Sequence, residues 1–380
     1  MRATFSFPTT ILFGPGAVGE LPQRATDFHA RRPLLVTDPG LAKTRTFARV
    51  RDLFPNSAVF TGVHGNPTEA DAENATRAFL EHQCDSVIAV GGGSALDVGK
   101  VLRLRAKFPQ HTNPDLATVS IRENLAPFIA IPTTAGTGSE VGRSSVITIA
   151  GTKHVIFNAR LLADLVILDP ELTVELPAKL TAATGADALT HCIESFTSPV
   201  FNPLCEAIAL EGIHLIAQSL VRAVNTPNDI DARGKMQLAA MMGGIAFQKD
   251  LGAAHSLAHP LGAVCNIHHG LANALVLPAV MRFNAERKPG LYTRVARALT
   301  PSPGTPGEGG GEGPSADNAA IAAVQSLFSG IGLTTGLRSA GVQKSQLQTL
   351  ADHAFKDPCH QTNPVPVTRG DLLLLYQQSM

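Results

Sequence analysis

Short, continuous apolar runs alternate with helical stretches along the first half of the chain. Four runs rich in Val, Ile and Leu predict buried strands at residues 33–38, 86–90, 128–131 and 165–168. Residues 69–82 lie between two of these runs and carry Ala, Leu and paired charges at the spacing of a helix. Because strands alternate with helices in this order, the pattern predicts a parallel sheet with helices on both faces.

The second half of the chain has a different pattern. Long stretches rich in Ala and Leu, with few clusters of β-branched residues, cover residues 181–196, 203–224 and 230–247. Such stretches are typical of helices, and they predict a domain that is helical almost throughout.

The change in pattern lies near Leu176 and Pro177. We therefore predict two domains, an α/β domain over residues 1–179 and an all-helical domain over residues 180–380. A segment dense in Pro and Gly, residues 300–315, interrupts the helical half and can sustain neither helix nor strand. It predicts a flexible surface insertion between two helices.

The composition restricts the kind of partner. The chain has 380 residues, 44% of them apolar and 16% charged, which is typical of a folded globular protein. Its 31 basic side chains balance 31 acidic ones, so no net field draws nucleic acid or an anionic membrane. We expect a small-molecule partner, and neither nucleic acid nor a membrane.

The compartment can be inferred from the N-terminus, the apolar runs and the cysteines. The N-terminal residues lack the apolar run of a secretory signal, and no apolar run approaches the ~20 residues of a membrane span. The 5 cysteines are scattered without a CxxC pair, which argues against a disulfide framework and a thiolate metal site. These features predict a cytoplasmic protein.

Two pairs of possible metal ligands occur in the helical half. Asp187 and His191 are four residues apart, as are His255 and His259, so each pair projects from one face of a helix. His269 follows shortly and precedes a glycine. Imidazole and carboxylate ligands without thiolate suit Fe²⁺, Zn²⁺, Ni²⁺ or Mn²⁺. The pattern predicts a site for one divalent metal that acts as a Lewis acid.

The alternative for each histidine taken alone is a packed or hydrogen-bonded core residue. The residues around His255 and His259 are otherwise small and apolar, and several unpaired imidazoles buried there would cost free energy. A shared metal removes that cost, so we favour the metal site.

Two segments rich in glycine and hydroxyl side chains each follow a predicted strand. Gly91, Gly92, Gly93 and Ser94 come directly after the second strand and open a helix, where backbone amides favour a pyrophosphate. Residues 132–140 follow the third strand in the same way. Open α/β sheets bind ligands at the carboxyl ends of their strands, so both segments are candidates for a nucleotide site. The GxGxxG fingerprint of an ordinary Rossmann domain is absent from them.

Asp38 ends the first predicted strand. Its carboxylate could accept hydrogen bonds from an adenosine ribose and would repel a 2′-phosphate, which predicts NAD rather than NADP. A helix N-cap or a turn with Pro39 and Gly40 is an equally good alternative.

Several motifs together give the chain a family resemblance. They are Gly65-Asn-Pro-Thr68, Gly91-Gly-Gly-Ser-Ala-Leu-Asp97, Pro132-Thr-Thr-Ala-Gly-Thr-Gly-Ser-Glu140, Gly185-Ala-Asp-Ala-Leu-Thr-His-Cys-Ile-Glu194, and His255-x3-His-Pro-Leu-Gly-Ala263 with His269-Gly-Leu-Ala-Asn273. With these motifs the chain resembles the iron-containing (group III) alcohol dehydrogenases from residue 13 to residue 364. The resemblance implies an α/β dinucleotide-binding domain with a Rossmann-like parallel sheet, followed by an all-helical metal-binding domain.

The resemblance also implies roles for individual residues. The metal ligands would be Asp187, His191, His255 and His269. His259 would lie near the nicotinamide, outside the ligand set, and take part in catalysis through proton transfer or orientation of the substrate. The implied cofactor contacts are Asp38, Gly92, Gly93, Ser94, Asp97, Thr133, Thr134, Thr137, Lys153 and Leu172, with Cys359 close to the nicotinamide.

The implied activity is metal-dependent and NAD-dependent oxidation of a small primary alcohol, or reduction of the aldehyde, by hydride transfer. Fe²⁺ suits the set better than Zn²⁺, since one carboxylate and three imidazoles already complete the tetrahedron of zinc whereas iron accepts a further ligand. Zn²⁺ is the alternative metal. We also expect a homodimer or a higher homo-oligomer.

Other functions compete with this interpretation. A zinc-dependent polyol dehydrogenase of the glycerol type would have the same fold. A lyase related to dehydroquinate synthase would need a run of basic substrate-binding residues that we do not recognise. A metal-dependent hydrolase would need no nucleotide, so the glycine-rich segments argue against it, and a non-catalytic assembly protein would tolerate the loss of a metal ligand. The sequence does not identify the alcohol.

Overall fold

The structure is a computed structural model, and it describes residues 7, 9–112, 115–117, 119, 124–150, 152–300, 313–333 and 336–380. Contacts divide the chain into two compact units, which change over between Leu176 and Pro177. The predicted domain limit at residue 179 falls just inside the first helix of the second unit.

The described part of the first unit contains eight strands. They are β1 (Thr10–Phe13), β2 (Pro33–Val36), β3 (Ala58–Phe60), β4 (Ser86–Gly91), β5 (Phe128–Pro132), β6 (Ser144–Ile149), β7 (Thr152–Phe157) and β8 (Leu165–Leu168). Six form one parallel sheet in the order β1-β8-β5-β4-β2-β3, and β6 and β7 form an antiparallel hairpin. The helices are α1 (Leu21–Asp27), α2 (Arg45–Arg51), α3 (Glu69–Glu81) and α4 (Gly93–Lys107).

Neighbouring residues of the central strands pack against different helices, because successive side chains of a strand point to opposite faces. On one face, Ile88 lies in a buried cluster with Leu21 of α1 and Phe47 of α2. On the other face, Ala89 lies against Gly99 of α4. The sheet is therefore covered on both faces, and the predicted α/β fold class is confirmed.

The four predicted strands are all present. β8 has the predicted bounds, and β2, β4 and β5 differ from the prediction by one or two residues at one end. Their side chains are buried throughout, which is why they are continuous apolar runs in the sequence. The apolar pattern does not predict β1 and β3, which are short and partly exposed, or the hairpin of β6 and β7.

The second unit contains α-helices and short 3₁₀ turns, and no strand occurs among its described residues. The helices are α5 (Ala178–Thr197), α6 (Pro203–Asn225), α7 (Ile230–Ala246), α8 (Ala253–Cys265), α9 (His269–Arg287), α10 (Thr293–Leu299), α11 (Pro314–Gly330), α12 (Leu347–Lys356) and α13 (Arg369–Gln378). α5 is almost entirely buried and packs against α6, α7 and α9. The predicted all-helical second half is confirmed.

One described helix, α6, is long and apolar enough to cross a membrane by length and composition alone, with a mean hydropathy of 1.4 in its most apolar stretch. Core helices of folded domains have the same properties. Within the second unit α6 packs against α5, α7 and α10. We therefore treat it as part of the helical unit.

Most of the predicted insertion, residues 301–312, lies outside the described residues. The helices that flank it in the chain, α10 and α11, pack against each other. The flexibility of the insertion stays a prediction.

Candidate metal centre and cofactor site

Three helices of the second unit bring the four predicted metal ligands together. α5 carries Asp187 and His191, α8 carries His255, and α9 begins at His269. One possible ligand atom on each of the first three side chains lies within 4.8 Å of the others, and His269 Nε2 lies 3.4 Å from Asp187 Oδ1. We call these four side chains the ligand cluster. Three are buried, and the side chain of His269 is 30% exposed.

Glu194 holds the start of α8 against α5. Its carboxylate accepts the backbone N–H groups of Ala254 (2.7 Å) and His255 (3.4 Å), which have no acceptor within the helix. A Cβ on Gly252 would lie 2.7 Å from Glu194 Oε1, so a side chain here would displace the carboxylate from its present position. His255 is thereby fixed in the first turn of α8, next to α5.

The start of α9 approaches α5 even more closely. A Cβ on Gly270 would lie 2.0 Å from the carbonyl oxygen of Ala183, so the two backbones are in contact at this point. The glycine after His269 therefore has a packing reason, because it allows α9 to place His269 beside Asp187.

His255 has a fixed tautomer. Its Nδ1 lies 2.6 Å from Glu194 Oε2. Burial raises the pKa of Glu194 to about 7, but the backbone N–H groups that its carboxylate accepts oppose this rise and favour the ionised form. We therefore assign the proton to Nδ1 and the lone pair to Nε2. Burial and the neighbouring His191 hold the pKa of His255 well below its ordinary value, although Asp187 opposes this shift. The imidazole is therefore neutral, as a metal ligand must be.

Asp187 supplies negative charge to the ligand cluster. Burial favours its protonated form, but His191, His269 and the hydrogen bond from Asn273 hold the pKa of Asp187 below its ordinary value. In the described structure, His191 Nδ1 is a buried nitrogen without a hydrogen-bond partner, which is costly unless a ligand compensates it. An ionised carboxylate and three imidazoles, one of which has a buried nitrogen without a partner, fit a divalent metal such as Fe²⁺ or Zn²⁺.

His259 lies beside the ligand cluster but has a partner of its own. Its Nδ1 lies 2.6 Å from Asp357 Oδ2, and its ring stacks on that of His269 with centroids 5.2 Å apart. The Ser256 hydroxyl and the Cys359 backbone N–H each donate to Asp357 Oδ1 at 2.9 Å. Since Nδ1 is engaged, Nε2 is the nitrogen of His259 that can face a substrate.

The same contacts set the charges of Asp357 and Cys359. Burial opposes the ionisation of Asp357, but the hydrogen bonds from His259 and from the Cys359 backbone N–H hold its pKa below the ordinary value. Burial and the nearby Asp357 raise the pKa of the Cys359 thiol well above its usual range. Cys359 is therefore a neutral thiol and a poor nucleophile.

In the first unit, the two segments rich in glycine and hydroxyl groups meet at the carboxyl ends of β4 and β5. Gly92 caps α4, and the side chains of Thr134 and Thr137 lie against Gly92 and Gly93. The first N–H groups of α4 have no acceptor within the helix. This end of the sheet suits a pyrophosphate.

Two further predicted cofactor residues have internal partners. The Ser94 hydroxyl donates to the carbonyl oxygen of Gly65 at 2.9 Å. The carboxylate of Asp97 accepts the Ser139 hydroxyl at 2.6 Å and the Val146 backbone N–H at 3.0 Å. These two side chains stabilise the loops around the glycine-rich turn.

The remaining predicted cofactor residues are spread over both units. Thr133 is buried directly after β5, and Lys153 lies on β7. Leu172 packs its side chain into the apolar core of the first unit, so that side chain is not open to a cofactor. Cys359 belongs to the second unit and lies beside His259. Which of these residues contacts the cofactor stays a prediction.

Asp38 forms the turn that we considered as the alternative to a ribose contact. Its Oδ1 accepts the backbone N–H groups of Gly40 (2.8 Å) and Leu41 (2.9 Å). Its Oδ2 lies on the side of Gly91, at the carboxyl end of β4. One oxygen is therefore used by the turn, and the other lies at the edge where a nucleotide is expected.

Sequence reasoning assigned no role to three residues that contact the predicted site residues, Glu194, Asn273 and Asp357, although the first two end quoted motifs. Glu194 follows His191 by three positions and Asn273 follows His269 by four, so helical spacing was an available signal for both. Asp357 gives no such signal, because it is 98 residues from His259.

Comparison with known families gives two matches that together span most of the chain. Residues 8–170 match the model described as "Iron-containing alcohol dehydrogenase", and residues 181–380 match "Fe-containing alcohol dehydrogenase family, C-terminal". The boundary between the matches agrees with the change from the α/β unit to the helical unit.

Individual relatives cover nearly the whole chain. The 4-hydroxybutyrate dehydrogenase of Cupriavidus necator is 39% identical over 382 residues, which cover 96% of each chain. The NAD-dependent methanol dehydrogenase of Bacillus methanolicus is 32% identical over 385 residues, which cover 99% of each chain. Among solved structures, a 1,3-propanediol oxidoreductase has a TM-score of 0.90 at 32% identity, with both chains covered completely.

Proposed function

Because this chain belongs to the iron-containing alcohol dehydrogenase family and is a metal-dependent, NAD-dependent alcohol dehydrogenase, we propose that the ligand cluster holds its metal and that a short primary alcohol is its substrate. The observation that carries this proposal is the meeting of one carboxylate and three imidazoles in a largely buried site. These are the donor types expected of a site for Fe²⁺ or Zn²⁺.

The reaction moves a hydride between the alcohol carbon and C4 of the nicotinamide. A divalent metal in the ligand cluster would supply a Lewis acid that lowers the pKa of the alcohol hydroxyl. The chain itself prepares the donors. Glu194 contacts Nδ1 of His255 and leaves Nε2 for the metal, and a hydrogen bond from Asn273 favours the ionised form of Asp187.

His259 is the group that we assign to the hydroxyl proton. Asp357 accepts a hydrogen bond from Nδ1, so Nε2 is the atom that takes up the proton, and the charge of Asp357 stabilises the imidazolium that results. The ring of His259 stacks on His269 and its side chain is 34% exposed, so water can receive the proton in turn.

Fe²⁺ is the metal that we favour. One carboxylate and three imidazoles complete the tetrahedral set that zinc prefers, whereas iron accepts a further oxygen ligand. The description of both matching family models as iron-containing supports the same choice. Loading with each metal separately tests it.

The names of the relatives support a small substrate. Two of them refer to 4-hydroxybutyrate and 1,3-propanediol, which are primary alcohols of three or four carbons with a second polar group at the far end. A third refers to methanol. We assign this chain to short primary alcohols and their aldehydes, including those with a second polar group.

NAD is the expected cofactor, and its pyrophosphate would bind where α4 begins. The five cysteines are free thiols, which supports a cytoplasmic location. A homodimer or a higher homo-oligomer stays a prediction.

The test begins with purified protein from which metal has been removed by a chelator. It is reloaded with Fe²⁺ without oxygen, or with Zn²⁺, and NADH formation is followed with 1,3-propanediol, 4-hydroxybutyrate, methanol and glycerol. We expect NADH to form with at least one of the first three alcohols and with Fe²⁺ above Zn²⁺.

Asp187→Asn is the control for the metal site, because it removes the charge and keeps the size of the side chain. It should bind less metal and form little NADH. Full activity after complete removal of metal, or an unchanged metal content in Asp187→Asn, would contradict the proposal. Activity with glycerol and Zn²⁺ alone would indicate a polyol dehydrogenase instead.

A further inference from the structure

Asn273 contacts three members of the ligand cluster. It lies on α9, one helical turn after His269, and is fully buried. Its amide nitrogen lies 2.7 Å from Asp187 Oδ1, 3.2 Å from His255 Nε2 and 3.3 Å from His269 Nε2. The shortest of these contacts is the one to the carboxylate.

The donor and acceptor roles in this contact are determined by the neighbours. The Asp187 carboxylate can only accept a hydrogen bond, and it keeps lone pairs for a metal as well as for a donor, whereas the single lone pair of His255 Nε2 is needed for the metal. The side chain that faces Asp187 therefore has to be a donor. The amide NH₂ of Asn273 provides two hydrogens in this position.

The other end of the same amide has no partner in the described structure. Asn273 Oδ1 is buried without a hydrogen bond, which costs free energy. The amide is therefore oriented by its donor side alone. Rotating it by half a turn would place Oδ1 against the Asp187 carboxylate and lose the short contact.

We propose that Asn273 is a positioning residue that orients the Asp187 carboxylate and thereby sets the affinity of the ligand cluster for its metal. The inference rests on the proposed role of that cluster. A neutral donor at this position holds Asp187 in one rotamer and keeps the site at one negative charge. An apolar residue would release the carboxylate, and a carboxylate would add a second charge beside it.

A merely structural role for Asn273 can be separated from this one, because the same helix carries a matched residue. Asn284 is also buried on α9, and its amide donates to Tyr292 and to Asn363 instead of to the ligand cluster. Replacing Asn284 removes buried hydrogen bonds from α9 without touching a predicted ligand.

The experiment measures two properties of the whole chain that do not depend on turnover. The first is Zn²⁺ affinity, measured by competition with a chromophoric chelator. The second is the rise in melting temperature on adding Zn²⁺ to metal-free protein. The variants are Asn273→Ala, Asn273→Asp and Asn284→Ala.

We expect Asn273→Ala to weaken Zn²⁺ binding by about 10–100-fold, the usual effect of removing a partner of a metal ligand. Asn284→Ala should melt at a lower temperature with and without Zn²⁺, while its Zn²⁺ affinity stays within about twofold of the parent. Asn273→Asp keeps the size of the side chain and replaces the donor amide by a charged acceptor. It therefore tests the need for a neutral donor even where Asn273→Ala folds poorly. Its metal-free form should be destabilised, and Zn²⁺ should raise its melting temperature by more than in the parent.

An unchanged Zn²⁺ affinity in Asn273→Ala would overturn the inference, as would an equal loss of affinity in Asn284→Ala. A rise in melting temperature in Asn273→Asp that equals that of the parent would also overturn it. Failure of the underlying proposal is distinguishable, since Zn²⁺ binding would then survive Asp187→Asn.

Discussion

Glu194 and His255 form a 2.6 Å contact between Oε2 and Nδ1, and the other oxygen of the same carboxylate accepts the N–H of Ala254 at 2.7 Å. One side chain of α5 therefore caps α8 and fixes the tautomer of an imidazole on α8. The position of α8 and the protonation of His255 therefore both depend on the Glu194 carboxylate.

Replacing Glu194 by Ala should lower both stability and metal affinity. The change leaves buried N–H groups at the start of α8 without an acceptor, which costs about 1–3 kcal/mol each, and it frees the ring of His255. Metal affinity should fall by about 10–100-fold. Glu194→Gln keeps one acceptor oxygen, so melting curves and chelator competition should place it between the parent and Glu194→Ala. Equal values for all three proteins would contradict this account.

His259 and His269 should differ in what they do. His269→Ala should lose both metal and turnover, because His269 lies 3.4 Å from Asp187 in the ligand cluster. His259→Gln should keep its metal while turnover falls on the order of 10²–10⁴-fold, the range for a general acid–base group. Metal analysis of the purified variants, beside steady-state rates, separates the two roles. Loss of metal in His259→Gln to the same extent as in His269→Ala would show that His259 is a ligand.

Asp38 should set the preference between NAD and NADP. Asp38→Asn removes the charge but keeps the oxygen that accepts the N–H groups of Gly40 and Leu41, so the turn should survive. The ratio of kcat/KM for NAD to that for NADP should then fall at least about tenfold, because repulsion of a 2′-phosphate is removed. Equal kcat/KM values for the two cofactors in the parent protein would refute the assignment.

Asp250 should be a site where glycine stabilises the protein. Its φ of 63° and ψ of −179° are almost unique to glycine, and a residue with a Cβ pays about 1–3 kcal/mol there. Ser195 and Thr362 anchor the backbone of residues 250 and 251, which keeps this conformation in place. Asp250→Gly should therefore melt several degrees higher, as read from thermal unfolding. Asp250→Asn is the control, since it removes the charge and leaves the backbone strain, and a gain of the same size there would point to charge instead.

Glu140 should make stability fall with rising pH. Burial raises its pKa from 4.5 to about 7, although its own backbone N–H and Lys100 oppose the rise. The folded protein then holds a proton that the unfolded chain has released, so the free energy of unfolding decreases between about pH 4.5 and pH 7. Glu140→Gln has no proton to lose. Urea unfolding above pH 7 should show it more stable than the parent by at most about 3 kcal/mol, with a smaller difference near pH 5. A difference independent of pH would mean that Glu140 does not titrate in this range.

The strands that the sequence predicts well are those whose surroundings are uniform. β8 is buried along its whole length, so an unbroken apolar run marks it. β1 and β3 are partly exposed, and each contains an apolar run of only three residues, at 11–13 and 58–60, which is too short to mark a strand. These strands are defined by their pairing with neighbouring strands, and a local sequence pattern does not predict that pairing.

The candidate site shows the same division. The four-residue spacing of Asp187 and His191 predicts that both lie on one face of a helix, and the spacing around His255 predicts a helix there. Both predictions use only neighbouring residues. Asp357 reaches His259 only through the folding of the chain between them, so periodicity could not have identified it. For Asp38 the sequence offered two roles, and the turn was the one that local geometry could fulfil without a ligand.

The close approach of Gly252 to Glu194 and of Gly270 to Ala183 limits how this protein can diversify. A side chain at position 270 would push α9 away from α5, and one at position 252 would displace the Glu194 carboxylate that caps α8 and contacts His255. A saturation library at these two positions should return glycine almost alone, whatever alcohol is used for selection. We therefore expect a change of alcohol specificity to arise from substitutions around the ligand cluster. The helix contacts that assemble the cluster should stay unchanged.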